Sequence, residues 1–191
     1  MIPEANPVAR RIPGEPGVWV FIIGDLIVFS LMFGVFMYYR TQSPEVFASS
    51  QLNLRQDLAL ANTVLLLCSS WLVAVGLDAL RNANLAKAKL LYRGAAVCGL
   101  AFVALKYVEY SEKFGGGITI LTNDFYTYYF VLTGIHLLHL IVGLVVLAFI
   151  LRIAANTKLE DSDLRNAESG SLYWHMVDLL WIVILAIIYL I

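Results

Sequence analysis

The residues of this chain with chemical potential are three histidines, His136, His139 and His175, and a handful of acids set inside long apolar runs. A charged side chain at the centre of a membrane helix costs about 2.5–3.5 kcal/mol on insertion scales, so each one there needs a partner or a purpose. Asp25 stands about a third of the way along the first apolar run, and Glu109 near the far end of the third, three residues after Lys106. That spacing lets Lys106 and Glu109 form an ion pair within one helix, as it does Asp78 and Arg81 at the end of the second run. On the last run Glu168, Ser171, His175 and Asp178 recur at offsets of 0, 3, 7 and 10, a single polar stripe. Thr133, His136, His139 and Gly143 make a second stripe on the run before it, with Gly143 able to admit a neighbouring backbone. The two stripes are expected to face each other.

Two readings of the histidines stand. His136 and His139 on one face, with His175 on the next helix, suffice for a three-ligand zinc or iron site, or for one haem with an axial ligand from each helix. Neutral histidines bonding between helices is the other use. A di-iron bundle needs Glu-x-x-His pairs, which this chain lacks, and two haems with paired ligands need four histidines where it has three. Nothing matches a phosphate-cradling glycine loop, a nucleophile elbow or HExxH. Cys68 and Cys98, each within an apolar run, are too few and too dispersed for a disulfide framework or a thiolate metal site, and read as small buried hydrophobes.

The elements that position these residues follow from composition. Of 191 residues 60% are hydrophobic and 14% charged, with a mean hydropathy of +0.78. Soluble domains average about 45–50% apolar and about 25% charged, so this chain belongs in lipid. A net charge of -1 leaves nothing basic enough to track nucleic acid. A bilayer core takes about 20 apolar residues per helix, and only helices or closed barrels satisfy their backbone there. Five runs of that length, at 18–39, 58–80, 90–110, 125–151 and 172–191, predict an all-α, polytopic, single membrane domain of five helices. The Arg10-Arg11 pair before the first run does not make it a cleaved signal, because the run is too long, contains Asp25 and is followed by Arg40.

Cations set the expected orientation. Arg10 and Arg11, then Arg81, Lys87, Lys89 and Arg93, then Arg152, Lys158 and Arg165 fall on one side, against Arg40, Arg55 and Lys113 on the other. The N-terminus is therefore expected in the cytoplasm and the C-terminus outside. Trp19, Tyr38, Tyr39, Tyr110, Tyr126, Tyr173 and Tyr189 near span ends fit interfacial belts. Pro3, Pro7, Pro13 and Pro16 make the N-terminal arm extended, and Gly115-Gly116-Gly117 reads as a turn.

Several segments, in order, resemble subunit III of the haem-copper oxidases. They are GVWVFIIGDLIVFSLMFGVFMYYR with its intramembrane acid Asp25, ANTVLLLCSS with Asn62, Thr63, Ser69 and Ser70, Glu109-Tyr110 after Phe102, TGIHLLHLIVG with Thr133, His136 and His139, and YWHMVDLLW with Trp174, His175 and Asp178, preceded by Glu168. The resemblance spans the whole chain and is to the short, five-helix form. Asp25 stands for the usual Glu, Lys106 for Gln, and Leu137 for the Gly of a His-Gly-Leu-His pattern. The segment GDLIVFSLMFGVFMYYR looks closest to the NorE branch that accompanies nitric oxide reductase. The resemblance implies a multi-pass accessory subunit of the bacterial inner membrane with no haem, metal or other cofactor of its own. Its partner would be a catalytic subunit, either oxidase subunit I or the nitric oxide reductase large subunit. It further implies two groups of helices, the first two and the last three, with bound phospholipid in the cleft between them. Asp25 and Glu109 are the buried, proton-linked acids in this picture, and His136, His139, Glu168, Trp174, His175 and Asp178 lock the helices or contact lipid. The alternatives are a haem b or quinone anchor using His136, His139 and His175, and a small proton or solute carrier, for which paired broken helices in two halves would be the sign.

Overall fold

Five long helices carry the five apolar runs, and each extends beyond its run. The computed structural model describes residues 12–156 and 159–191. Arg10, Arg11 and Lys158 of the orientation argument, and Pro3 and Pro7 of the arm, lie outside the described residues. The helices are α1 (Pro16–Gln42), the short α2 (Pro44–Gln51), α3 (Gln56–Arg81), α4 (Leu85–Gly115), α5 (Asp124–Ile153) and α6 (Asp161–Ile184), which runs on through a π-helical turn, Leu185–Leu190. Apolar run length measures lipid depth, whereas caps decide where a helix stops. Hence α6 starts eleven residues before its apolar run, at a capping box in which Glu160 and Asp163 bond each other's backbone. Asn84 caps α4 by accepting from the Lys87 N–H, Asn123 caps α5 through the Tyr126 N–H, and Pro16 and Pro44 occupy first-turn positions. The turn after α4 uses Gly116 as the C-cap and Gly117 at φ 77°.

The packing differs from the expected division into the first two helices and the last three. α3, α4, α5 and α6 form a four-helix ring in which each packs on the next and α6 closes back on α3, while α1 lies outside the ring against α5 and α6. The reason lies in the faces the helices offer. α3 presents small residues to α4: Tyr92 fills the space over Gly76, and Ser69 donates to the Ala95 carbonyl across the seam at 2.9 Å. α1 buries one ridge, Ile22, Phe29 and Phe36, at seven-residue spacing, which fills a single seam. α2 anchors the crossing from α1 to α3, with Phe47 set between the rings of Phe36 and Phe125. α5 and α6 approach closely because a Cβ on Gly143 would come within 2.8 Å of Trp174, and one on Gly170 within 2.6 Å of Val146.

Candidate functional site

The polar side chains inside the bundle fall into four separate places. Toward the α3 N-terminal end, Lys106 and Glu109 of α4 are both fully buried and pair at 3.0 Å. The second Glu109 oxygen accepts from the hydroxyls of Tyr129 on α5, at 2.8 Å, and of Tyr189 in the π-helical turn, at 2.7 Å. Lys106 also donates to Tyr189 at 2.9 Å, and its ammonium lies 5.2 Å from the ring centres of Tyr129 and Trp181. The π-helical turn is what brings Tyr189 inward to meet the pair. A buried pair holds only when its remaining hydrogen-bonding capacity is filled, and here three helices fill it.

The second place is the seam between α1 and α5. Asp25 Oδ2 stands 3.3 Å from Nε2 of His139, both side chains being mostly shielded. His139 Nδ1 donates to the Ile135 carbonyl at 2.8 Å, because a carbonyl can only accept. Asp25 Oδ2 has no hydrogen-bond partner among the described residues, so the two groups face each other without a formed hydrogen bond.

The third lies on the α3–α6 seam at mid-span. Ser70 Oγ is 2.6 Å from Nδ1 of His175, with Asp178 one turn further along α6. Among the described residues, Asp178 Oδ1 is buried without a partner. The fourth ties the other end of the bundle: Glu168 accepts from Arg81 of α3 at 2.8 Å and from the Gly14 N–H at 3.0 Å, and Ser169 accepts from the Glu15 N–H. Gly14 sits at φ 76° against Ser169, a position strained for any other residue. Arg81 thus bonds Glu168 across two helices.

His136 belongs to none of these places. It is fully buried between Phe102 and Trp181, and both its ring nitrogens lack a partner among the described residues. Trp174 is likewise buried, its indole filling the space left by Gly143 and Gly99.

The two polar stripes consequently do not face each other. The α6 stripe looks at α3 and α4, through Arg81, Ser70 and the Tyr92 hydroxyl on Ser171, because α6 turns its close-packing glycine side toward α5. The α5 stripe splits three ways, Thr133 accepting from Tyr110 of α4, His136 facing the core and His139 facing α1. The three histidines therefore part company, and no group of three metal-binding side chains forms among the described residues. That removes the three-ligand geometry on which the metal alternative relied. Tyr189, Tyr126 and Tyr173 are interior rather than interfacial, since their hydroxyls or rings find neighbours inside, whereas Tyr38 and Tyr39 are exposed. The spacing of Lys106 and Glu109 revealed their pairing; their tyrosine partners, Ser70 under His175 and the Trp181 N–H on Thr63 Oγ1 at 3.0 Å are contacts between distant stretches of chain with no local signal.

The sequence model described as cytochrome c oxidase subunit III matches residues 11–191. A cytochrome c oxidase subunit 3 of Synechocystis sp. is 30% identical over 91% of this chain and 74% of its own length. One from Bacillus sp. (strain PS3) is 25% identical over 98% of this chain and 90% of its own. A quinol oxidase subunit 3 of Bacillus subtilis is 26% identical over 91% and 85%. A match that runs through all five helices, on a bundle whose polar groups sit at the motif positions, leads to one conclusion: the chain belongs to the cytochrome c oxidase subunit III family, the non-catalytic accessory subunits of haem-copper oxidases.

Proposed function

We propose that the chain packs beside a catalytic haem-copper subunit in the bacterial inner membrane, N-terminus in the cytoplasm, and supports that subunit's assembly, stability and proton uptake without a redox centre of its own. The observation that carries this reading is the dispersal of the buried polar groups, which link helix to helix in separate pairs rather than converging on one open position. The first-span segment around Asp25 supports a nitric oxide reductase large subunit as the partner. The second reading, an oxidase subunit I, is favoured by relatives named as subunits of cytochrome c and quinol oxidases. A groove of about 380 Å³ between α1, α5 and α6, walled by Phe21, Val146 and Phe149 with Asn166 and Ser169 at one end, suits a phospholipid chain.

Tagging the chain in its native membrane, isolating it in mild detergent and sequencing what accompanies it tests the reading. A haem-copper catalytic subunit in the isolate supports it, and the identity of that subunit chooses between the two partners. A chain isolated alone, carrying stoichiometric iron or a Soret band, would sink it. Asp25→Asn removes the carboxylate that faces His139 and is expected to speed turnover-linked inactivation of the complex severalfold with its subunit content unchanged. Identical inactivation rates would remove Asp25 from any proton-linked role.

A further inference from the structure

α3 and α4 form an antiparallel hairpin whose register is fixed by three contacts. Tyr92 lies over Gly76, Leu72 reaches to 3.2 Å from where a Cβ on Gly94 would stand, and Ser69 donates to the Ala95 carbonyl at 2.9 Å. A serine hydroxyl extends only one atom past its Cβ, so that bond requires a close seam between the two backbones. One turn from the Leu72–Gly94 contact, back along α3 and forward along α4, stand Cys68 and Cys98. Residues four apart share a helix face, so the two cysteines meet across the same edge of the seam as Leu72 and Gly94. The two thiols are near enough to interact electrostatically. Cys68 is exposed and Cys98 half-buried, both near the middle of their spans, so the pair opens onto acyl chains rather than onto the core. Along the sequence they are dispersed and each reads as a buried hydrophobe; the hairpin makes them a pair at a lipid-facing edge.

We propose that Cys68 and Cys98 are a redox-active dithiol, closed to a disulfide by a quinone dissolved in the bilayer. Both S–H bonds break and one S–S bond forms, while the two electrons and two protons pass to the quinone, which departs as the quinol. A disulfide needs Cα atoms about 4.4–6.8 Å apart, a reach that neighbouring helices offer at a small-residue seam such as this one. Depth selects the oxidant: glutathione and other charged thiol reagents stay in water, whereas a quinone shares the hydrocarbon with Cys68. Thiolate is scarce at that depth, so closure is slow beside that of a soluble dithiol, and aqueous reductants reach the product poorly. Once closed, the bond staples the middle of α3 to the middle of α4.

The test uses native membranes carrying the full chain, with decylubiquinone as the oxidant and glutathione disulfide as the aqueous control. After treatment the membranes are dissolved in SDS with N-ethylmaleimide, and the chain, whose cysteines are these two alone, is examined by intact mass and peptide mapping. Decylubiquinone is expected to lower maleimide-reactive thiol at least tenfold, leaving a chain lighter by two hydrogen atoms with its α3 and α4 peptides joined. Glutathione disulfide is expected to leave both thiols free, and a phosphine reductant to reopen the bond only once SDS has exposed it. In Cys68→Ala or Cys98→Ala the remaining thiol is expected to stay fully reactive under the same oxidant, because closure needs both. Two thiols that persist in the unmodified chain, a thiol carrying the added mass of the quinone, a bond joining two chains, or equal oxidation by glutathione disulfide would each overturn the inference. All of these outcomes leave the accessory role standing, since that role is decided by what accompanies the chain in detergent.

Discussion

Neither Lys106 nor Glu109 has any route to water, so the two charges stand or fall together. Removing one partner of a buried pair costs about 3–5 kcal/mol, because the survivor is left charged and uncompensated, whereas removing both is far milder. Lys106→Met is therefore expected to destabilise the bundle by about that amount, and Lys106→Met with Glu109→Gln to recover most of it, since Gln still accepts from Tyr129 and Tyr189. Unfolding in mixed micelles of dodecyl maltoside and increasing SDS measures both; an equal loss in single and double variants would contradict the coupling. The pair itself was legible in the sequence, because three residues along a helix is a local distance. Its hydroxyl partners, 20 and 80 residues from Glu109, were not. Tyr189 even looked interfacial, since a tyrosine near a span end satisfies both descriptions until a partner is seen.

At the scale of elements, glycines decide how close two helices come. Gly143→Ala and Gly170→Ala each force a methyl within 2.9 Å of a neighbouring side chain, Trp174 in one case and Val146 in the other. Overpacking of this kind costs about 1–3 kcal/mol. Gly134 on the same helix has open space at its Cβ position, so Gly134→Ala is expected to leave stability unchanged or raise it by up to about 1 kcal/mol through helix propensity. Thermal unfolding in detergent should separate these variants clearly, and a destabilised Gly134→Ala would mean that this face too is packed. Gly143 was singled out in the sequence by its place on a polar stripe. Gly99 and Gly170 carried no such mark, because small residues recur on lipid-facing and packed faces alike. The five helices were legible from run length, while their ends were set by caps such as Glu160 and Asn123 that hydropathy does not register.

For the molecule as a whole, the difference between α1 and the ring has dynamic consequences. Only 17% of the α1 membrane window is buried, against 56% for α6, so α1 is held by one seam, the α2 anchor and the Gly14–Glu168 contact. Regions with few buried contacts open at lower free energy than the core. In the isolated chain, amide exchange is expected to reach the α1 backbone before that of α3 to α6, and exchange that proceeds at one rate in all five helices would show the ring and α1 to be one cooperative unit. The sequence pointed to two bundles through its family resemblance; the small-residue face of α3 toward α4 is what replaces that with one ring and an outer helix.

By itself the sequence determined the solvent of this protein, the number and order of its membrane-length helices, one ion pair and the family, because apolar run length, local spacing and motif strings all reside in contiguous residues. Only the tertiary structure decided which helix faces meet. In lipid the outside of a helix is as apolar as its inside, so hydrophobic periodicity, the signal that marks a core in water, is nearly flat here. The separation of His136, His139 and His175 to three different neighbours exists only once α3 and α1 have taken opposite sides of α6.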